Sequence, residues 1–480
     1  MSFLKRSTLS RPGTWWALSS SRARLTALGA AVLVLGLFST SVIVWNSPAN
    51  PVTQAAASVT RADIATAKIV AERNSLLSQV IALQKQLAGS KGNLSVTKAQ
   101  LASIQQQLYS AQGALEAAAA AKTAATAAVK AKPTSRKPST VAGSVVTAPS
   151  KAEIINPTSR YFGMYTEQAP FSFSSFDSTA KKIGSQPNVV GYFGGWDQPF
   201  RADVVKSSWQ RNTLPILTWE SRPIGAPNSS NVEPDYSLPK IIGDPAAGLP
   251  GNFDSYLHQY AKDIVASGLP LAIRLDHEMN GNWYPWAEDD GKGNAVNGNR
   301  SGDYVKMWQH VHDIFQEEGA NSLVAWIWAP NIINNLPAAH KPSVYLDSLY
   351  PGPSYVDVVG LSGYLRPAYK PDNAFSFDYT FTPTLKELRR ITDKPILLAE
   401  IGASETGGHK AAWITSLFQA LAKPENQDII GFSWFNLAVT TYTEGELATN
   451  DWRIDSRPES IAAFTAGLAL PGGRFDLSPN

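Results

Sequence analysis

The chain has no cysteine. That excludes a disulfide framework, a Cys-ligated zinc site, a thiol nucleophile and a lipid attached through cysteine. Charged residues are scarce, at 17%, and histidine is scarcer, at six in 480. The two histidines nearest in sequence, His310 and His312, stand two apart on a predicted helix and do not face each other, so they read as surface or packing residues. Acids are missing from residues 1–24, which carry Lys5, Arg6, Arg11, Arg22 and Arg24. Residues 58–137 hold eleven Lys or Arg against Asp63, Glu72 and Glu116, so the +3 of the whole chain leaves −10 for residues 154–480. The basic character belongs to the N-terminal third, and the acidic remainder is a poor partner for nucleic acid.

What is present falls into segments. Residues 25–45, from Leu25 to Trp45, are uncharged and largely apolar. As a helix they would span about 30 Å, the thickness of a bilayer core. Arginines before the run and none just after it predict a signal anchor, with residues 1–24 cytoplasmic and the rest outside a cell membrane. The alternative is a cleaved signal near Ala55-Ala56-Ala57 and secretion, although the run exceeds an ordinary signal core. From 58 to 130 the pattern is helical: Val80, Leu87, Leu94, Leu101, Leu108 and Leu115 recur every seven residues, with Leu76, Leu83 and Ile104 in the companion register. That predicts a coiled-coil stalk capable of self-association, weakened by Gly89 and Gly92. Residues 131–154, rich in Pro, Ser, Thr and Lys, read as a linker.

Residues 155–480 form the globular part. Apolar, β-branched and aromatic runs at 161–165, 189–194, 214–219, 269–275, 323–328, 356–361, 396–399 and 429–434 alternate with helical patterns such as 254–266, 304–318 and 411–421. Eight strands alternating with helices predict an α/β fold, a (β/α)8 TIM barrel. A doubly wound open sheet is the alternative, but Gly163 alone does not supply its phosphate turn. In such barrels the functional rim lies at the C-terminal ends of the strands. The third strand there ends in Thr218-Trp219-Glu220, the fourth in His277-Glu278, the fifth in Trp328-Ala329-Pro330-Asn331, the sixth in Ser362-Gly363-Tyr364, the seventh in Glu400 and the eighth in Trp434-Phe435-Asn436.

The densest of these is Arg274-Leu275-Asp276-His277-Glu278-Met279-Asn280-Gly281-Asn282-Trp283-Tyr284-Pro285-Trp286. A carboxyl at a strand end beside tryptophan faces and side-chain amides suits sugar cleavage: aromatic faces stack on sugar rings, Asn280 binds hydroxyls and Glu278 moves the proton. Such cleavage needs a second carboxylate opposite the first. Glu400, on the strand across the barrel, is that candidate, and Glu220 is placed to line the groove. Chemistry by two carboxylates calls for no cofactor and no metal. A metalloprotease reading of His277-Glu278 fails because position 281 is glycine. The Asp, Asn and Gly-rich stretch 288–300 lacks the ligand spacing of an EF-hand and reads as a loop.

These motifs resemble those of glycoside hydrolase family 26, the β-mannanase family. The resemblance rests on 277–281 with 283–286, on Ala325 through Asn331, on Tyr350-Pro351-Gly352 followed by 355–361 and Gly363-Tyr364, and on Lys394-Pro395-Ile396 through Glu400-Ile401-Gly402. It covers about residues 155–470. It implies that Glu278 is the general acid/base and Glu400 the nucleophile of a retaining double displacement. It also implies that His277 holds the −1 sugar site, that Tyr364 hydrogen-bonds the nucleophile, that Trp434 is the −1 stacking platform and that Trp283 lies on the leaving-group side. Hydrogen bonds from Tyr364 or Arg274 would keep Glu400 ionised. The implied substrate is a polysaccharide, first of all β-1,4-mannan cut internally. Mixed-linkage β-glucan, β-1,3-xylan and the cell's own exopolysaccharide are alternatives, and a non-catalytic glycan-binding protein is the rival from another class. Two departures bear on the sugar: Leu275-Asp276 stands where many members have Pro-Leu or Pro-Phe, and Ser362 where Asp or Asn is common.

Overall fold

In a computed structural model of the protein, the described residues are 146–226, 230–443 and 446–477, with 68–76 and single helical positions between 78 and 113. Residues 68–76 are helical. The expected membrane segment and most of the heptad seam lie outside the described residues. Among those that are described, no helix is long and apolar enough to cross a membrane.

Eight strands close into one barrel: β1 (Tyr161–Tyr165), β2 (Val189–Gly195), β3 (Leu214–Glu220), β4 (Leu271–Leu275), β5 (Val324–Trp328), β6 (Val358–Leu365), β7 (Ile396–Ala403) and β8 (Ile429–Phe435). Neighbours pair in parallel all the way round, and β1 pairs with β8 to complete the circle. The (β/α)8 expectation therefore stands, and the open-sheet alternative falls.

Strand alternation sorts the side chains. Seven of the fourteen tryptophans are less than 2% exposed, so much of the aromatic richness is packing rather than glycan contact. Trp219 stacks on Tyr260 with ring centroids 4.4 Å apart, Trp326 meets Phe315 at 5.1 Å, and Trp328 meets Tyr350 at 5.2 Å. Each joins a strand's outer face to the surrounding layer, and full burial of such a ring contributes roughly 1.5–3 kcal/mol. Inward-facing positions are polar near the C-terminal mouth: Tyr165 and Thr218 share a hydroxyl contact of 3.1 Å, and the Arg274 guanidinium donates to Thr218 at 3.3 Å.

The opposite mouth is closed by residues that the sequence reading assigns to the linker. Ser150 caps a short helix, Lys151–Ile155: its amide donates to the Glu153 carboxylate at 2.8 Å while its hydroxyl accepts from the Glu153 amide at 3.3 Å. Ile154 is 3% exposed and lines the barrel floor with Tyr161, Leu214 and Ala272. Lys151 pairs with Asp357 at 2.7 Å. The linker boundary at 154 is therefore too late, because one isoleucine in a polar stretch gave no periodicity to detect. Arg160 completes this floor, donating to the carbonyls of Ile429, Gly473 and Asn426 at 2.7, 2.9 and 2.8 Å.

β6 and β7 run four residues beyond their expected ends, to Leu365 and Ala403, and pair Ser362 with Glu400. Backbone pairing tolerates the polar and glycine residues there. Gly363 is required, because a Cβ would come within 2.5 Å of the Phe381 ring. After β8 an unanticipated antiparallel hairpin, Ala438–Thr443 with Glu446–Asp451, returns the chain to the rim. At its neck the Trp452 amide donates to the Leu437 carbonyl at 3.0 Å.

Candidate active site

β4 ends in a sharp turn that presents Glu278. Asp276 and Glu278 both take left-handed backbone angles, with φ of 37° and 57°, a conformation uncommon for residues with a side chain. The turn is held from three sides. The Asp276 amide donates to the Trp219 carbonyl at 3.0 Å, the Glu278 amide to Ala329 at 2.7 Å, and the Gly281 amide to Glu278 at 2.9 Å. Gly281 has no alternative: a Cβ would lie 2.6 Å from the Trp283 ring. Its absence lets Trp283 fold back so that the indole Nε1–H donates to Glu278 Oε2 at 2.8 Å.

Glu400 lies across the barrel and is anchored twice. Arg274 Nη1 donates to its Oε2 at 2.5 Å, and the Tyr364 hydroxyl donates to its Oε1 at 2.6 Å. Arg274 also donates to the Ser362 hydroxyl, so this serine orients the guanidinium. Burial opposes the charge of Arg274, but Glu400, Tyr165 and Glu278 together outweigh it and raise its pKa. Glu278 differs in kind. Burial first, and then the charge of Glu400, push its carboxyl upward, against Arg274 and the hydrogen bonds of Asn331 and Trp283. One carboxylate is thus clamped by donors, while the other is biased to keep its proton.

His277 is buried, with Nε2 3.1 Å from the Tyr284 hydroxyl and Nδ1 4.0 Å from Glu220 Oε1. Burial, with Arg274 and Arg222, drives its pKa well down, so the imidazole is neutral. Glu220 is consumed in a two-point ion pair, with Arg222 Nε and Nη2 each 3.0 Å from its oxygens. Arg222 in turn lies 5.0 Å from the Tyr284 ring centroid. Glu220 therefore buttresses the His277–Tyr284 contact and is 4% exposed.

Two expected site residues are placed elsewhere. Trp434 is completely buried on the outer face of β8, between Trp413 at 5.9 Å and Phe464 at 5.3 Å, and its Nε1–H donates to the Trp452 carbonyl at 2.6 Å. It cannot stack on a sugar. Alternation instead sends its neighbour Phe435 into the mouth, where it meets Tyr364 at 5.9 Å and Trp452 at 5.5 Å. Asn280 is also fully buried, its amide spent on both the N–H and the C=O of Asn331 at 2.8 Å each. It fixes the end of β5 rather than a hydroxyl. Asn331, Phe435 and Trp452 are the residues that sequence reasoning left without roles. Trp452 had no signal, because only the hairpin returns it to the rim. The carboxylates of the 288–300 loop are spent internally: Glu288 accepts from the Gly302 and Tyr304 amides, and Asp290 from those of Lys292 and Asn294.

This architecture, a parallel barrel with two unlike glutamates across its C-terminal mouth, belongs to the (β/α)8 class with a paired-carboxylate site. Residues 244–416, which include both glutamates, match glycosyl hydrolase family 26. The chain is similar to endoglucanase H of Acetivibrio thermocellus, with 30% identity over 304 residues, covering 62% of this chain and 29% of that protein. It is also similar to a mannan endo-1,4-beta-mannosidase of Bacillus subtilis strain 168, with 23% identity, covering 43% of this chain and 58% of the other. Among solved structures, the catalytic domain of the Bacillus sp. JAMB-750 endo-beta-1,4-mannanase is similar at 17% identity and a TM-score of 0.47, covering 67% of this chain and 88% of that one. The chain spans less than a third of the length of endoglucanase H.

Proposed function

We propose that this protein is a retaining β-glycoside hydrolase that cuts a β-1,4-mannan backbone internally. The observation that carries the reading is the asymmetry of the two glutamates: Glu400 is held by Arg274 and Tyr364, while burial and the charge of Glu400 bias Glu278 toward its protonated form. In the first step Glu400 attacks the anomeric carbon as Glu278 gives its proton to the departing glycosidic oxygen, leaving a covalent glycosyl ester. In the second, Glu278, now a carboxylate, takes a proton from water, and that water displaces Glu400 and restores both groups. Neutral His277, propped by Tyr284 and Glu220, and the rings of Phe435 and Trp452 shape the sugar site beside the nucleophile. Trp283 covers the acid.

A second backbone, β-glucan, is favoured by one observation: the similar Acetivibrio thermocellus protein is named an endoglucanase. Residues 25–45 are proposed to anchor the chain in the cell membrane with the barrel outside, and residues 58–130 to self-associate as a coiled coil.

The test is incubation of the full chain with β-mannan, mixed-linkage β-glucan and β-1,3-xylan, following the anomeric configuration of fresh products by NMR. β-Configured products from mannan, absent with Glu400→Ala, are expected. α-Configured products would overturn retention, and turnover undiminished in Glu400→Ala would overturn the site.

A further inference from the structure

Beside the catalytic pair, on the β5–β6 flank, lies a hollow of about 380 Å³ that includes its open mouth. Its wall includes Tyr364, the residue that hydrogen-bonds Glu400, so the hollow and the catalytic centre share a side chain. Among apolar and hydroxyl-bearing side chains, the remaining wall carries two cations and three side-chain amides: Arg366, Lys370, Asn334, Asn335 and Asn373.

The arrangement is built. The Lys370 ammonium donates to the Asn334 carbonyl, the Asn334 side-chain amide donates to the Tyr379 carbonyl at 2.8 Å, and the Asn373 backbone amide donates to the Lys370 carbonyl at 3.0 Å. Arg366 follows directly on the end of β6 and has no hydrogen-bond or ion-pair partner among the described residues. The nearby acid, Asp372, accepts from the Tyr379 hydroxyl at 3.1 Å. Residues 154–480 carry a net −10, so two cations with side-chain amides between them run against the domain's overall charge.

We propose that this hollow is a subsite for a carboxylate borne on a sugar residue close to the cleaved bond, so that the substrate is an acidic β-linked polysaccharide. The inference rests on the hydrolase reading, since the shared Tyr364 is what ties the occupant to the scissile chain. Arginine supplies a planar fork matched to a carboxylate, lysine a mobile point charge, and the asparagines donors for flanking hydroxyls. A neutral backbone would leave Arg366 without a partner among the described residues.

The experiment compares β-mannan and mixed-linkage β-glucan, each before and after partial oxidation of C6 hydroxymethyl groups to carboxylates. The full chain and its Arg366→Ala/Lys370→Ala variant act on all four. The expected result is an oxidised-to-native ratio of kcat/KM above one that falls about tenfold or more in the double variant and shrinks with salt. A ratio equal in the two proteins overturns the subsite. If no polymer is cleaved, the hydrolase reading has failed separately, and calorimetric binding of the oxidised polymers decides. Binding lost in the double variant supports the subsite, and equal binding overturns it.

Discussion

Arg274 on β4 reaches across the barrel interior to Glu400 on β7 and places Nη1 2.5 Å from Oε2. Arg274 is wholly buried and the Glu400 side chain is 9% exposed. A buried pair of this kind is weak evidence for stability, but breaking it leaves the Glu400 charge with only the Tyr364 hydroxyl against it, at a cost of about 3–5 kcal/mol. Arg274→Leu is expected to lower the free energy of unfolding by an amount of that order and to abolish measurable turnover. A folded variant of unchanged stability would show that the pair contributes nothing to the core.

Removing Glu278 and removing Glu400 should have different signatures. Glu400→Ala is expected to lose on the order of 10⁴-fold in kcat on every glycoside, as loss of a nucleophile does. Glu278→Ala is expected to lose about 10²–10⁴-fold on polysaccharide, the scale of general acid catalysis, yet to retain activity on aryl glycosides whose leaving group needs no proton. Equal losses on both substrate types in Glu278→Ala would contradict its role as acid.

The charge of Glu400 is one of the two causes that raise Glu278. Glu400→Gln removes that cause and leaves burial, so the Glu278 carboxyl should titrate lower in the variant than in the native protein. NMR titration of the labelled carboxyl reads this directly, and an upward shift would contradict the electrostatic account.

Asp276 carries a stability signature. Burial lifts its carboxyl to about 7, against the opposing Ser221 hydrogen bonds of 2.7 Å from amide and hydroxyl. The folded protein therefore keeps a proton that the unfolded chain releases near pH 4. By linkage, stability falls as pH rises from about 4 to about 7, with a slope approaching 1.4 kcal/mol per pH unit. Asp276→Asn holds no titrating proton there, so its stability curve should be flatter across that window. Parallel curves in urea melts at stepped pH would refute this.

The two aromatic residues that end β8 should separate by function. Trp434→Phe is expected to cost about 1–3 kcal/mol through lost packing against Trp413 and Phe464, with KM unchanged. Phe435→Ala should reduce kcat/KM about tenfold with a smaller loss of stability. The reverse pattern, in melts and kinetics on the same variants, would return Trp434 to the sugar site.

Much of the fold was legible because its signals are local. The apolar runs locate all eight strands, the alternating helices give the barrel, and the turn from His277 to Trp286 places Glu278 at the rim. The helix at 151–155 and the hairpin that returns Trp452 to the rim were not legible, since each is stabilised by distant contacts. The Arg366–Lys370 hollow also went unseen, because it combines the loops after β5 and β6.

By itself the sequence determined the parallel barrel, both glutamates at its C-terminal rim and the exclusion of thiol and disulfide chemistry. These follow from hydrophobic periodicity and from which side chains exist at all. Only the tertiary structure decided which aromatic residue of a Trp-Phe pair faces the cleft, and that Asn280 and Glu220 support the site from behind. Those outcomes depend on strand facing and on contacts between residues far apart in the chain, which a one-residue change of register would reverse.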